Sequence, residues 1–194
     1  MDKKRCWGSK DELAKAYHDV EWGVAVYDDQ VLFEFLILEG AQAGLNWITI
    51  LRRREGYRRA FDKFDYKKIA KYNQKKIDEL LEDTGIIRNK LKVHSTVLNA
   101  SIFLEIQKEF GSFAKYIWAF VDDKPIMNRF QEWKEVPAKT QISDRISKDL
   151  KKRGMKFVGS TIIYAYMQAI GMVNDHLVTC FRHKEIVDSL VDGE

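Results

Sequence analysis

Prolines, cysteines and long uncharged runs are all scarce in this 194-residue chain. The two prolines, Pro125 and Pro137, lie close together, so most of the chain is free of helix breakers. The two cysteines, Cys6 and Cys180, lie near opposite ends. That excludes a scaffold stapled by many disulfides and leaves metal ligation open for the pair in a reducing compartment. No stretch is long and apolar enough to span a bilayer. No apolar run follows Met1, so a cytoplasmic location is expected rather than a secreted one. Strand signals are few, internal repeats and low-complexity tracts absent.

What remains is a helix-rich pattern. Asp28 stands as a cap before VLFEFLILEGAQA, which places a helix over Asp28–Ala43. Leu32, Phe35, Leu36 and Glu39 share one stripe of it by their three-and-four spacing. Further helices are expected over Leu45–Phe61, Tyr66–Tyr72, Lys75–Glu82, Lys90–Phe110 and Phe113–Val121. Asp122–Thr140 carries both prolines and no clear period, and reads as a connection. Ser143 caps an expected helix to Arg153, and Val158–Ile170 forms another, although FVGSTIIYAY is β-branched enough to mimic a strand. Asn174 or Asp175 is expected to cap a last short helix through Cys180. The chain is therefore expected to be all-α, burying its core by packing helix on helix. Its length suits one domain over 1–194 or two closely packed helical lobes.

The net charge is +4, which proves little, but the basic residues cluster. Arg52, Arg53, Arg54, Arg58 and Arg59 form one group, and Arg88, Lys90 and Lys92 a second. Lys148, Lys151, Lys152, Arg153 and Lys156 form a third. Any one of them reads as a solvated helix face. Three of them near turns favour a phosphate-binding surface.

Four features carry chemistry. Cys6, His18, His176 and Cys180 have the spacing C-x11-H near the start and H-x3-C near the end. Two thiolates and two imidazoles make a sound tetrahedral metal set, and four protein ligands leave no position for a catalytic water. Spacing alone leaves this reading and that of four unrelated residues equally open. Glu39 follows FLIL on an apolar stripe, so it is either turned to solvent at Gly40 or lines a pocket. Trp7, Tyr17, Trp22 and Trp47 crowd the first quarter of the chain beside polar or glycine positions. Such rings are usually core, but they also suit a cavity that stacks on a cationic nucleobase. LLEDTGIIRNKLK, from Leu80 to Lys92, reads as helix, turn at Gly85 and basic helix. A helix-hairpin-helix of that kind offers backbone N–H groups to a DNA phosphate.

Taken together, RCWG, YHDVEWGV, LFEFLILEGAQAGLNWITILRRRE, DTGIIRNKLKV and LKKRGMKFVGSTIIYAYMQAIGMVNDH resemble the 3-methyladenine DNA glycosylase I family of the helix-hairpin-helix superfamily. The resemblance covers nearly the whole chain and is weakest over 110–140. It implies an all-α glycosylase fold, with the helix-hairpin-helix near 75–105. It implies a structural zinc on Cys6, His18, His176 and Cys180 that joins the N- and C-terminal segments. Glu39 falls on the base-pocket carboxylate, and Tyr17 and Trp47 on the pocket aromatics, with Trp7 and Trp22 beside them. Leu45 stands where a side chain wedges into the opened duplex, and Gly85, Arg88 and Lys90 on the DNA-facing hairpin.

The implied activity is hydrolysis of the N-glycosidic bond of 3-methyladenine in alkylated double-stranded DNA by a monomeric, monofunctional enzyme. The aspartate that many relatives in the wider superfamily carry after the hairpin is missing here, as it is in this family. Methylation at N3 makes the base cationic and its bond labile, so Glu39 is expected to recognise the base first and catalyse second. Two alternatives stay open at this point. One is a zinc-stabilised DNA-binding module without activity; the other is a glycosylase for oxidised or mismatched bases. The missing aspartate argues against the latter, and release of free base separates the former.

Overall fold

The computed structural model describes residues 3–8 and 10–191. Its architecture is built around one helix, α2 (Asp29–Gln42). Asp28 caps it by accepting from the N–H groups of Gln30 and Val31. Every residue from Leu32 to Ala41 is buried, and a helix buried on all sides sits at the centre of a bundle. Each fully buried Leu or Phe contributes about 1.5–3 kcal/mol by leaving water, which offsets the lack of a polar face. Packed against α2 are α3 (Trp47–Ala60), α6 (Lys90–Phe110), α7 (Phe113–Trp118) and α9 (Ser160–Ala169). The Asp29 carboxylate, at the start of α2, accepts from the N–H groups of Phe113 and Ala114 and so fixes the start of α7.

Around this centre lie α1 (Glu12–Val20), α4 (Tyr66–Ile69), α5 (Gln74–Glu82), α8 (Gln141–Lys152) and α10 (Phe181–Val191). The helix α5, the turn 83–89 and α6 form the helix-hairpin-helix. Its turn packs on α3 at Gly56, where any Cβ would stand 2.2 Å from the Gly85 carbonyl oxygen. Arg53 also donates to the Thr84 carbonyl at 2.7 Å. Two two-residue strands, β1 (Ile126–Met127) and β2 (Val173–Asn174), pair in parallel. No helix among the described residues is long and apolar enough to cross a membrane.

The all-α expectation holds, with three corrections in detail. Thr140, in extended backbone, caps α8, and Ser143 sits one turn in, returning the bond to the Thr140 N–H. The expected helix from Asn174 or Asp175 through Cys180 does not form. Backbone bonds from Ile126 to Met172 and from Asn128 to Asn174 hold residues 172–174 against β1, and a turn in which the Cys180 N–H donates to the Leu177 carbonyl follows. His176 and Cys180 therefore sit on a loop, and the helix begins after them, at Phe181. On α10, His183 is buried with Nε2 at 2.8 Å from the Asn128 carbonyl. Finally, α1 forms where no helix is expected: Asp11 caps it by accepting from the N–H groups of Leu13 and Ala14.

Candidate active site

Three helices aim residues into one cavity of about 390 Å³. Tyr17 comes from α1, Glu39 from the last turn but one of α2, and Trp47 is the first residue of α3. Trp7 and Trp22, from the segments flanking α1, complete the near wall. All five residues singled out for the pocket thus meet. The structure adds Gln42, Trp133, Ala165 and Gln168. Gln42 lies one turn beyond Glu39 on the same helix, a signal the sequence did offer. Trp133 and Gln168 had none, because their placement depends on distant partners.

The chemistry of this wall is incomplete in itself. Five buried side-chain polar atoms among the described residues have no hydrogen-bond partner, and three of them are Trp7 Nε1, Tyr17 Oη and Trp47 Nε1. A buried donor left unpaired costs about 1–3 kcal/mol, so such a cluster marks a place where a ligand completes the bonding. Glu39 is 5% exposed and no cation faces it, so burial pushes its carboxyl up to about 8. A positively charged ligand opposes that shift and favours the carboxylate. Gln168 is pinned: its Nε2 donates to Asp175 at 2.8 Å, and buried Asp175 also accepts from Tyr164 Oη at 2.7 Å and Asn128 Nδ2 at 2.6 Å. That fixes the amide orientation and leaves the Gln168 carbonyl oxygen as its free acceptor.

A second groove of about 340 Å³ shares Glu39, Gln42 and Ala165 with the pocket and runs past Gly44 and Leu45. Leu45 is 41% exposed at its rim. Gly44 has φ +78° with open space around it, so the loop turns there without crowding. Arg88 and Lys90 are exposed on the hairpin and have no side-chain partner among the described residues. The Gly85 N–H is taken by Asp83 Oδ1 at 2.7 Å. Its neighbours Ile86 and Ile87 donate to the Asp83 carbonyl and Tyr57 Oη. The donors left are those of Thr84 and Arg88 in the turn and of Lys90 and Leu91 at the start of α6. The hairpin also stands apart from the pocket: Gly56 is nine residues along α3 from Trp47, roughly 13 Å of helix.

The first basic cluster is mostly not a free surface. Arg54 is buried between Glu21 and Glu34, Arg58 pairs with Glu34 and Glu55, and Arg52 pairs with Asp11. Arg153 of the third cluster is held by Glu109 and Asp149.

Cys6, His18, His176 and Cys180 converge, with their ligand atoms all within 4.8 Å of one another. Cys6 Sγ lies 3.3 Å from His18 Nε2 and 3.5 Å from His176 Nδ1; Cys180 Sγ lies 3.5 and 3.6 Å from the same atoms. An ion held tetrahedrally at usual thiolate and imidazole bond lengths sets sulfur and nitrogen about 3.6 Å apart. The donor set and its spacing thus fit a bound metal ion. The outer nitrogens are fixed too: His18 Nδ1 is 2.8 Å from Asp19, which Arg5 clamps, and His176 Nε2 is 3.0 Å from the Trp22 carbonyl. Such partners orient metal-ligating imidazoles. The cluster lies one ring behind the pocket, since Trp22 packs edge-on against His176 at 4.5 Å and against Trp7 at 5.2 Å.

Residues 7–183 match the family model described as methyladenine glycosylase. A DNA-3-methyladenine glycosylase 1 of Escherichia coli is 46% identical over 178 residues, 91% of this chain and 95% of that protein. A DNA-3-methyladenine glycosylase of Haemophilus influenzae is 47% identical over 177 residues, covering 91% and 96%. Among solved structures, a 3-methyladenine DNA glycosylase I superposes with a TM-score of 0.89 at 47% identity, over 92% of this chain and 98% of that one. The Staphylococcus aureus enzyme, described for its recognition of 3-methyladenine, gives 0.88 at 34% identity, over 91% and 94%.

Proposed function

The chain belongs to the methyladenine glycosylase family, and from that premise we infer how this pocket treats its substrate. The protein is a DNA-3-methyladenine glycosylase of base-excision repair, a hydrolase that removes the methylated base from alkylated DNA. The observation that carries the site assignment is a buried, unpaired Glu39 among three unpartnered aromatic donors. The extruded base stacks against the wall made by Trp47 and Tyr17, and its adenine edge donates to Glu39 and to the pinned Gln168 side-chain oxygen. Extrusion costs a few kcal/mol, less for a damaged base. Leu45 enters the gap left in the duplex, while Arg88 and Lys90 hold phosphates near the hairpin.

The chemical step asks little of the protein. The C1′–N9 bond breaks, its electron pair leaves with the cationic base, and the base departs neutral. A water oxygen bonds to C1′ and loses a proton, leaving an abasic site. Glu39 discriminates: a carboxyl that titrates near 8 when facing an empty pocket ionises against a cation and stays largely protonated against neutral adenine at pH 7. One hydrogen bond to a charged group is worth about 1.5–3 kcal/mol, which makes the pocket selective without being absolute. No lysine lines the pocket, and the enzyme acts as a monofunctional glycosylase on a cytoplasmic DNA substrate. It works as a monomer, a single domain over 1–194.

We assign the metal cluster to a structural zinc held by Cys6, His18, His176 and Cys180. When bound it supplies a closed four-ligand clip with no open position. The chain's own residues do the work at the pocket: the clip fixes Trp7, next to Cys6, and Trp22, whose carbonyl meets His176. Metal analysis of the purified protein, with a melting curve before and after chelation, tests this. A metal-free protein that melts at the same temperature as the loaded one overturns it. Incubation with methylated DNA and chromatography of the released bases tests the activity. Free 3-methyladenine with an alkali-labile abasic site is expected; strand cleavage without added base defeats the monofunctional reading.

A further inference from the structure

The segment 122–140 reads as a mere connection in the sequence, yet it carries a ring into the pocket. Trp133 opens a short turn over Trp133–Glu135, closed by reciprocal bonds between Glu132 and Glu135. The segment is pinned from behind, since the Phe130 carbonyl accepts from the Val178 N–H. The indole itself is anchored: Trp133 Nε1 donates to the Cys6 carbonyl at 2.6 Å. The residue still remains 40% exposed, an unusual state for a tryptophan so firmly held, and it lines the cavity.

The rings form a continuous arc. Trp47 and Tyr17 have centroids 5.3 Å apart, Tyr17 and Trp7 6.0 Å, Trp7 and Trp22 5.2 Å, and Trp22 and Trp133 6.2 Å. Trp47 stands at one end of the arc and Trp133 at the other. A ring fixed at its polar end, with its apolar surface free toward the cavity, has already given up its rotamer freedom, so stacking on it loses little further entropy.

We propose that Trp133 is a substrate-binding residue, forming the far wall of the pocket and stacking on the extruded cationic base. This rests on the pocket assignment made above. Base–aromatic stacking is worth about 1–3 kcal/mol, or roughly 5–150-fold in affinity, and a cationic base gains further from the indole face. A role in binding the base in both ground and transition states moves the concentration dependence more than the saturated rate.

The test uses metal-loaded full-length protein and the variants Trp133→Phe and Trp133→Leu, with metal content and melting temperature checked on each. Free 3-methyladenine is titrated against each protein, and single-turnover base release from methylated DNA is followed across enzyme concentration. Trp133→Leu is expected to weaken 3-methyladenine binding by about 5–150-fold and Trp133→Phe by about threefold or less. The half-saturating concentration rises while the saturated rate changes less. Equal binding by wild type and Trp133→Leu overturns the proposal. Equal weakening in both variants also overturns it, in favour of a purely anchoring role for the bond to Cys6. If wild type itself neither binds nor releases 3-methyladenine, the pocket assignment falls and this inference with it.

Discussion

Glu34 and Glu39 lie five residues apart on α2, and both are buried, at 7% and 5% exposure. Glu34 is saturated: Arg54 and Arg58 both reach it, with Arg58 at 2.8 Å. Glu39 meets no cation and faces a cavity. One carboxylate is therefore part of the fold's internal wiring, and the other stands unpaired beside a cavity. The helix supplies the same burial to both. The difference comes from α3, whose arginines pass beside Glu34 while its first residue, Trp47, turns toward Glu39.

The largest expected effect falls on the saturated end. Glu34→Ala leaves the Arg54 charge buried with only Glu21 beside it, and breaking such a buried pair costs about 3–5 kcal/mol. Denaturant unfolding measures it, while the base released per folded molecule stays near the wild-type value. A loss below 1 kcal/mol, within the range of surface pairs, would put Glu34 among surface charges and dissolve the comparison.

Glu39→Gln is expected to do the reverse. Recognition falls by about 1.5–3 kcal/mol, or roughly 10–150-fold in excision, with the fold intact. Stability moves with pH in a definite direction. Because burial raises the Glu39 carboxyl to about 8, the neutral form is the one the folded state favours. Its contribution is fully present below the unfolded value near 4.5 and is lost as pH rises through about 8. Glu39→Gln removes that loss. The variant should therefore outlast wild type by a margin that grows from pH 5 to pH 8 and then levels off. Melting curves across that range check it; a constant margin would mean that Glu39 is already charged in the empty pocket.

How much of this contrast the sequence showed depends on how local each cause is. The Asp28 cap, the apolar run of α2 and the limits of α6 are local, and they were legible. The four metal donors were legible by type, but the shared helix expected for His176 and Cys180 does not form, because β1 holds Val173–Asn174 as a strand and a turn leads on to Cys180. The arginines of α3 read as a basic surface, since nothing in RRREGYRR shows that Glu21, Glu34 and Asp11 come from other elements to meet them. Trp133 and Gln168 were invisible for the same reason. Their positions are set by the Cys6 carbonyl and by Asp175, residues 127 and 7 positions away.

A smaller effect concerns the link between hairpin and pocket. Lys92, on α6 just past the hairpin, buries its ammonium against the last carbonyls of α2, donating to Ala41 and Ala43 at 2.7 Å each. It closes the C-terminal end of the helix that carries Glu39, where a cation is favourable. Lys92→Met keeps the stem and removes both bonds. A loss of about 1–2 kcal/mol is expected, together with slower base release, because Gln42 and the Leu45 loop leave from that end. A variant that loses stability but keeps full excision would show that the end of α2 is held by packing alone.

The smallest effect separates free charge from committed charge. Arg88 and Lys90 have no side-chain partner among the described residues, whereas Arg153 is paired with Glu109 and Asp149. A side chain that neutralises one phosphate contributes about 0.9 to the slope of log affinity against log salt. Arg88→Ala and Lys90→Ala should each lower the slope for undamaged duplex DNA by about that amount, and Arg153→Ala should leave it unchanged. Binding titrations at several salt concentrations measure all three. If Arg153→Ala alone shifts the slope, the DNA path runs over α8 instead of the hairpin, since only release of condensed counterions, and not loss of an internal ion pair, changes that slope.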